Sequence, residues 1–357
     1  MSIAATHVSK TFNGFRAVDD VSFQIETGEL VALLGPSGSG KSTLLRMLAG
    51  LEIPDSGAIH LTGKETSSIS AKDRNIGFVF QHYALFKPMT IFENIAFGLK
   101  VRKVPQKIIA SRVAELLELV QLTGLEKRYP SQISGGQRQR VAVARALATK
   151  PDVLLLDEPF GALDAKVREE LRQWILLLHE QTRVTTLFVT HDQHEALEIA
   201  HKIFVMNKGK VEQEGTPTEI FDHPATPFVA EFVGENNYIE APVETPQLVK
   251  WGPFNFSVNS YLTGQKVRIY FRPNDVYVSS ESIQGGVKAR IVKTRFKGAL
   301  IELKLQIEND KFIIAHVPKG VSFSSGFNEN VEVYISITSF HSFESELKNI
   351  DESVPVI

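Results

Sequence analysis

The sequence contains no cysteine. That single absence removes disulfides, thiolate metal sites, iron–sulfur clusters and cysteine nucleophiles from consideration, and it suits a reducing compartment. Long apolar runs are missing too, since none approaches the ~20 residues that a membrane-spanning helix needs. The greasiest helical stretch, Trp174 to Leu178, is bounded by Arg172 and His179, so any membrane role must be borrowed from partner chains. At the amino terminus no basic flank precedes a long apolar stretch. Ala4 to Phe12 already has the character of folded sequence, and a cleaved secretory leader is not expected. Charge of one sign does not dominate either. A formal net charge of −2 gives no support to nucleic-acid binding, which rests on neutralising phosphates. There is no internal repeat and no low-complexity tract.

What is present is enough for two folded units. At 357 residues the chain exceeds one average domain, and each half is large enough to bury a core. Leu30 to Leu34 is continuously apolar, as in a strand buried on both faces, and a glycine-rich turn leads from it into helical Thr43 to Leu48. Val153 to Leu156 and Thr186 to Val189 repeat the short β-rich pattern, with helix-like stretches such as Val113 to Val120 between. This alternation predicts a mostly parallel sheet with helices packed on it. After about Gly234 helical periodicity fades. Strands such as Val267 to Phe271, Ala289 to Val292 and Val331 to Ile337 take over, and Glu235 to Pro253 has the composition of a connection. The expected domains are residues 1–234 and 235–357.

The strongest chemical signal is Gly35-Pro36-Ser37-Gly38-Ser39-Gly40-Lys41-Ser42-Thr43, set between a predicted strand and a predicted helix. The spacing is that of a phosphate-binding loop. Glycines let backbone N–H groups converge on phosphate oxygens, and the helix behind adds its positive end. Lys41 is placed to reach the β- and γ-phosphates of a nucleotide, and the Ser42 hydroxyl to ligate Mg²⁺. A second signal is the buried run Val153 to Leu156 ending in Asp157-Glu158. Asp157 is the candidate for holding Mg²⁺ through water, and Glu158 for polarising the attacking water. Gln81 and His191 stand after two more predicted strands and complete a hydrolytic set. His191 and His194 are three apart, yet no third ligand is evident, and a metal site there is not expected.

Ile133-Ser134-Gly135-Gly136-Gln137 follows. Ser134 and Gln137 have capping-box spacing, so a helix should begin here and run through Val141 to Ala148. Two consecutive glycines at its start predict a close approach by another backbone or a phosphate.

Taken in order, Gly35 to Thr43, Gln81, Ser134 to Gln137, Asp157-Glu158, Gly161-Ala162-Leu163-Asp164 and His191 resemble the motifs of an ABC ATPase. The resemblance implies an α/β P-loop NTPase fold with a helical subdomain. It implies ATP and Mg²⁺ as cofactors and a homodimer in which Ser134, Gly135, Gly136 and Gln137 of one copy close on nucleotide held by the other. Asp164 would cross that interface, Gln81 would sense Mg²⁺ and the γ-phosphate, and His191 would contact the γ-phosphate. Phe12 falls where the family stacks an aromatic ring on adenine. Gly161 departs from the common serine, so a hydroxyl contact is lost there.

Phe271-Arg272-Pro273-Asn274-Asp275-Val276 is similar to an element of importer ATPases that carry a small all-β, OB-like carboxyl-terminal domain. Phe78 to Leu99, Arg168 to His179 and Phe221 to Val229 are most similar to the sulfate/thiosulfate importers. That implies two integral membrane permease subunits, an indirect substrate-binding protein, and a peripheral position on the cytoplasmic or stromal face of a membrane. An importer for another oxyanion, a sugar or a polyamine is the alternative. A soluble ABC ATPase working on nucleic acid or the ribosome usually carries two ATPase halves or a coiled-coil insertion, and neither is seen. A regulator without turnover is opposed by Glu158 and His191.

The apolar crowd Tyr83, Ala84, Leu85, Phe86, Met89, Ile91 and Phe92 divides between core and a groove for a permease helix. Lys288, Arg290, Lys293, Arg295 and Lys297 are either a solvated strand face or a strip for a regulatory oxyanion.

Overall fold

The computed structural model describes residues 1–357 except 162, 259–264, 309–310, 322–325 and 345–357. The chain divides into two compact units, the first ending at Ala225 and the second starting at Thr226.

In the first unit the elements run β1 (Ile3–Phe12), β2 (Phe15–Ile25), β3 (Leu30–Leu34), α1 (Lys41–Ala49), β4 (Ser56–Leu61), β5 (Lys64–Glu65), β6 (Ile76–Val79), α2 (Ile91–Val101), α3 (Gln106–Leu119), α4 (Gly135–Leu147), β7 (Val153–Asp157), α5 (Ala165–Thr182), β8 (Thr185–Thr190), α6 (Gln193–Ile199), β9 (Lys202–Asn207), β10 (Lys210–Gly215) and α7 (Pro217–Asp222). One sheet has the order β10-β9-β3-β8-β7-β6 and is parallel apart from β10. Every residue of β3, β7 and β8 is buried, as strands covered on both faces require. The other sheet, β2-β1-β4-β5, is antiparallel. The sequence gives little sign of it, because bulges and left-handed residues such as His7 and Asp20 break the period-two alternation along β1 and β2. Leu44, Leu45 and Leu48 of α1 share one core with Ile3, Val18 and Phe23 of this sheet and Val31 and Leu33 of the parallel one. Helices α2, α3 and α4 pack on each other and form the helical portion. Among the described residues no helix is long and apolar enough to cross a membrane.

The second unit opens with α8 (Pro227–Phe232), so it starts before the change of sequence character at Gly234. Two bonds tie this stretch to the strands that follow. Glu231 accepts from the Tyr270 hydroxyl at 2.6 Å, and the Val233 carbonyl accepts from the Arg272 guanidinium. Then come β11 (Asn237–Thr245), β12 (Leu248–Trp251), β13 (Phe254–Ser257), β14 (Lys266–Phe271), β15 (Val276–Ser279), β16 (Val287–Lys297), β17 (Leu300–Glu308), β18 (Lys311–Pro318), β19 (Glu332–Ile337) and β20 (His341–Glu344). Antiparallel sheets β13-β12-β11-β14-β20 and β15-β19-β16-β17-β18 share one core that includes Val267, Ile269, Ile291, Leu303, Leu305 and Ile335. The edge strands β15 and β18 of the latter lie beside each other, so that sheet curls toward an OB-like closure.

Four of the five basic residues of β16 face acids or rings. Arg290 stands 3.9 Å from Glu332, Arg295 3.4 Å from Glu302, and Lys297 2.8 Å from both Glu235 and Glu302. Lys288 lies over the Tyr334 ring. An ion-paired, solvated face is what this arrangement describes.

Candidate functional site

Four parallel strands end along one edge of the first sheet. Leu34 of β3 is in register with Thr190 of β8, Asp157 of β7 with Val189 of β8, and Val79 of β6 with Leu156 of β7. The residues just beyond these ends are Gly35 to Gly40, Gln81, Glu158 and His191. They meet at the carboxyl edge, where open α/β sheets bind ligands.

Close backbone contacts dictate the loop after β3. A Cβ on Gly35 would stand 2.3 Å from the Met206 carbonyl oxygen, and one on Gly40 2.2 Å from that of Ala17. Gly40 also holds φ 101° as the amino-terminal cap of α1, a conformation open to glycine. Ser37 and Gly38 are exposed at the crest, while Ser39 is buried. The Pro36 carbonyl accepts from the Ser39 amide at 3.2 Å. Lys41 is 5% exposed. Its ammonium donates to the Gly35 and Pro36 carbonyls, each at 2.8 Å, and to Ser39 Oγ at 3.4 Å. Burial pushes the Lys41 ammonium below its ordinary range, opposed by Glu158 and Asp157. These are the features of an anion cradle: a helix amino terminus, tight glycines and a buried ammonium.

Ser42 Oγ donates to Asp157 Oδ1 at 2.9 Å, which joins the start of α1 to the end of β7. Desolvation pushes the Asp157 carboxyl up, and neighbouring Glu158 adds to this. Ser42, Arg46 and Lys41 oppose it. A hydroxyl and a poorly solvated carboxylate in contact are oxygen donors of the kind that Mg²⁺ takes, so the residues fit this ion. On the far side of β7, Gln81 Nε2 donates to Glu158 Oε2 at 2.8 Å, and from beyond β8 on the near side His191 Nδ1 lies 3.7 Å from Glu158 Oε1. Glu158 itself has φ 47°, a left-handed turn that a non-glycine residue rarely adopts. The Gly161 amide donates to its carbonyl at 3.2 Å.

Several supporting residues carry no sequence signal of their own. Thr190 Oγ1 donates to buried Glu195, and Arg168 stands 3.5 Å from Asp192 and 3.9 Å from Glu195. Together they fix the turn that carries His191. A threonine ending a strand is too common to single out. Gln139, fully buried, donates to the Pro159 carbonyl and so holds the turn after Glu158. His191 and His194 join no three-ligand cluster among the described residues.

Ser134 caps α4 as its spacing predicts. Its Oγ accepts from the Gln137 amide at 3.2 Å, and Gln137 Oε1 accepts from the Ser134 amide at 2.9 Å. A Cβ on Gly135 would meet Leu163 at 3.0 Å, and one on Gly136 would meet Val167 at 2.9 Å. A close approach within the chain therefore accounts for part of the glycine pair. Asp164 Oδ1 accepts from the Val167 amide at 3.0 Å and caps α5. Ala162 lies outside the described residues. Phe12 ends β1 and is 40% exposed, with Lys10 Nζ 5.3 Å from its ring centroid. Thr43 lies in the first turn of α1. Among the described residues no side-chain hydrogen bond joins Phe12, Ser134 to Gln137 or Asp164 to the Lys41–Glu158 group.

The stretch after Gln81 divides between core and surface. Ile91 is buried, whereas Tyr83, Leu85, Met89 and Phe92 are half-buried and Ala84 and Phe86 exposed. Fully buried Asn94 donates to the Phe86, Met89 and Thr90 carbonyls and accepts from the Phe86 amide. Arg145 donates to the Tyr83 and Ala84 carbonyls at 2.9 and 2.7 Å. The loop so held borders a cavity of about 490 Å³ lined by His82, Tyr83, Leu85, Lys87, Pro130, Ser131 and Arg138.

Fold and edge together define a phosphate-loop nucleoside triphosphatase. The family model described as "ABC transporter" matches residues 18–161. The chain is 56% identical over 319 residues to the sulfate/thiosulfate import ATP-binding protein CysA of Thermosynechococcus vestitus, covering 89% of this chain and 91% of that protein. The protein of the same name from Mesostigma viride is 45% identical, covering 100% of this chain and 96% of its own length. Among solved structures, the dimeric post-hydrolysis state of the ATP-binding cassette MJ0796 bound to ADP and Pi has a TM-score of 0.54 at 33% identity, covering 60% of this chain and 98% of that one. The chain belongs to the sulfate/thiosulfate import ATP-binding protein family of ABC ATPases.

Proposed function

We propose that this chain hydrolyses ATP at the carboxyl edge of its parallel sheet and couples the reaction to inward transport of sulfate or thiosulfate. Hydrolysis is supported by one observation above the others: Gln81 and His191, from beyond two other strand ends, converge on the single carboxylate of Glu158. The transported solute is supported by the names of the relatives.

In this mechanism the amides of Gly35 to Gly40 and the Lys41 ammonium bind the β- and γ-phosphates. Lys41 exchanges its bonds to the Gly35 and Pro36 carbonyls for phosphate oxygens. Ser42 and Asp157 would hold Mg²⁺, which when bound neutralises charge on those phosphates. Glu158, oriented by Gln81, accepts a proton from water as its oxygen attacks the γ-phosphorus and the bond to the β–γ bridging oxygen breaks. His191 steadies the charge of the transferring group. Phe12 stacks on the adenine. Ser134, Gly135, Gly136 and Gln137 complete the site from a second copy, with Asp164 at that interface.

Because the chain has no spanning helix among the described residues, the pore comes from two membrane subunits, and the chain sits peripherally on the cytoplasmic or stromal face. The cavity beside Tyr83 and Leu85 receives a permease helix, as an apolar patch with a polar rim suits. The β-rich part after Gly234 is a separable regulatory domain.

The test is uptake by vesicles carrying the cognate permease, this chain and loaded sulfate-binding protein. Accumulation of labelled sulfate or thiosulfate that requires ATP is expected. Accumulation of another solute instead would overturn the substrate assignment.

A further inference from the structure

Far from the nucleotide edge, the second unit gathers a compact group of side chains from three segments. Glu302 of β17 and His316 of β18 are direct cross-strand partners, and Glu235 lies in the segment that leads from α8 into β11. Glu235, Glu302 and His316 each offer a ligand atom, and these atoms lie within 4.8 Å of one another. The His316 side chain is only 9% exposed, and its Nε2 is buried with no hydrogen-bond partner. That nitrogen points between the two carboxylates, 3.4 Å from Glu235 Oε2 and 3.7 Å from Glu302 Oε2. An unsatisfied buried ring nitrogen is costly, and this one is aimed at two carboxylates that already gather positive charge around them.

We propose that Glu235, Glu302 and His316 form a binding site for a divalent transition-metal ion of the zinc type, which pins the lead-in segment of the β-rich unit to strands β17 and β18.

The spacing agrees with such an ion. Zinc–ligand bonds of ~2.0–2.2 Å in a tetrahedron place ligand atoms roughly 3.3–3.6 Å apart, close to the two separations from His316. One imidazole and two carboxylates are a donor set that zinc accepts. Lys297 and Arg295 are the positive groups facing this cluster. The Lys297 ammonium stands 2.9 Å from Glu235 Oε2 and 2.8 Å from Glu302 Oε2, so it marks where the carboxylates draw a cation. It sits at the end of β16 on a long side chain that is 30% exposed, and it can swing into solvent when an ion enters. Arg295 stands 3.4 Å from the other oxygen of Glu302, Oε1, an outer contact of the kind that orients a ligating carboxylate.

Zinc chloride titrated into the full chain without nucleotide, followed by calorimetry, tests this. Lys297 competes with the ion, so Lys297→Met should bind one zinc at least about tenfold more tightly than wild type. His316→Gln and Glu235→Gln should each lose that site, and Glu235, 60% exposed, can be changed without disturbing the core. Thermal melting should show zinc raising the midpoint of Lys297→Met and leaving that of Glu235→Gln unchanged. Zinc binding that Lys297→Met does not strengthen, or that survives both ligand substitutions, would overturn the proposal.

Discussion

Gln81 and Glu158, 77 residues apart in sequence, share a hydrogen bond of 2.8 Å from Nε2 to Oε2. The bond holds the carboxylate beyond β7 toward the end of β6, while its other oxygen faces His191. Glu158 is thereby set in a left-handed turn with both oxygens aimed, an arrangement suited to a base that must meet one water.

Replacement of this group should separate binding from turnover. Glu158→Gln keeps the shape and the contact to Gln81 but cannot accept a proton. Steady-state ATP hydrolysis should fall by about 10²-fold or more, with Mg-ATP binding retained in equilibrium titrations. Near-normal turnover would remove Glu158 from its assigned role.

The phosphate loop offers a contrast between two glycines. At Gly40 a methyl group meets the Ala17 carbonyl and φ is 101°, whereas at Gly38 φ is 80° but the space is open. Gly38→Ala should therefore cost roughly 1 kcal/mol from conformation alone. Gly40→Ala should cost about 2 kcal/mol or more and abolish nucleotide binding. Urea unfolding of both variants measures the difference.

Asp157 carries a stability cost that depends on pH. Burial raises its folded pKa above the unfolded value, so the native state holds this proton more tightly than the unfolded chain. Stability then falls as pH rises through the interval between the two values, and the penalty is complete above the folded one. Without nucleotide, Asp157→Asn should raise the melting temperature at pH 8, and the gain should shrink as pH falls into the carboxyl range. The same substitution should weaken Mg²⁺-dependent nucleotide binding, a trade of function for stability. Differential scanning calorimetry across pH checks the sign.

Much of the site was legible because short apolar strands end in residues that a strand end does not otherwise need. Leu30 to Leu34 before a glycine loop, and Val153 to Leu156 before two carboxylates, locate the edge directly. The antiparallel sheet of β1, β2, β4 and β5 was hidden by bulges that destroy alternation. Arg168, Thr190 and Glu195 were hidden because their value lies in contacts among residues distant in sequence. The apolar crowd after Gln81 could not be divided until Asn94 and Arg145, polar residues on neighbouring helices, were seen to hold its backbone. The start of the second unit depends on Tyr270 and Arg272 reaching back to α8, which composition does not record.

If each active site is shared by two copies of the chain, the Lys41 side from one and the Ser134 side from the other, two inactive variants should restore each other. Mixing two such variants tests this most directly. Lys41→Met and Ser134→Arg should each abolish ATP hydrolysis alone. In an equal mixture, about half the dimers pair unlike copies and each of these has one intact composite site. Steady-state hydrolysis should then return to at most roughly a quarter of the wild-type rate. A mixture as inactive as its components, with dimers of unlike copies demonstrated, would contradict the shared site.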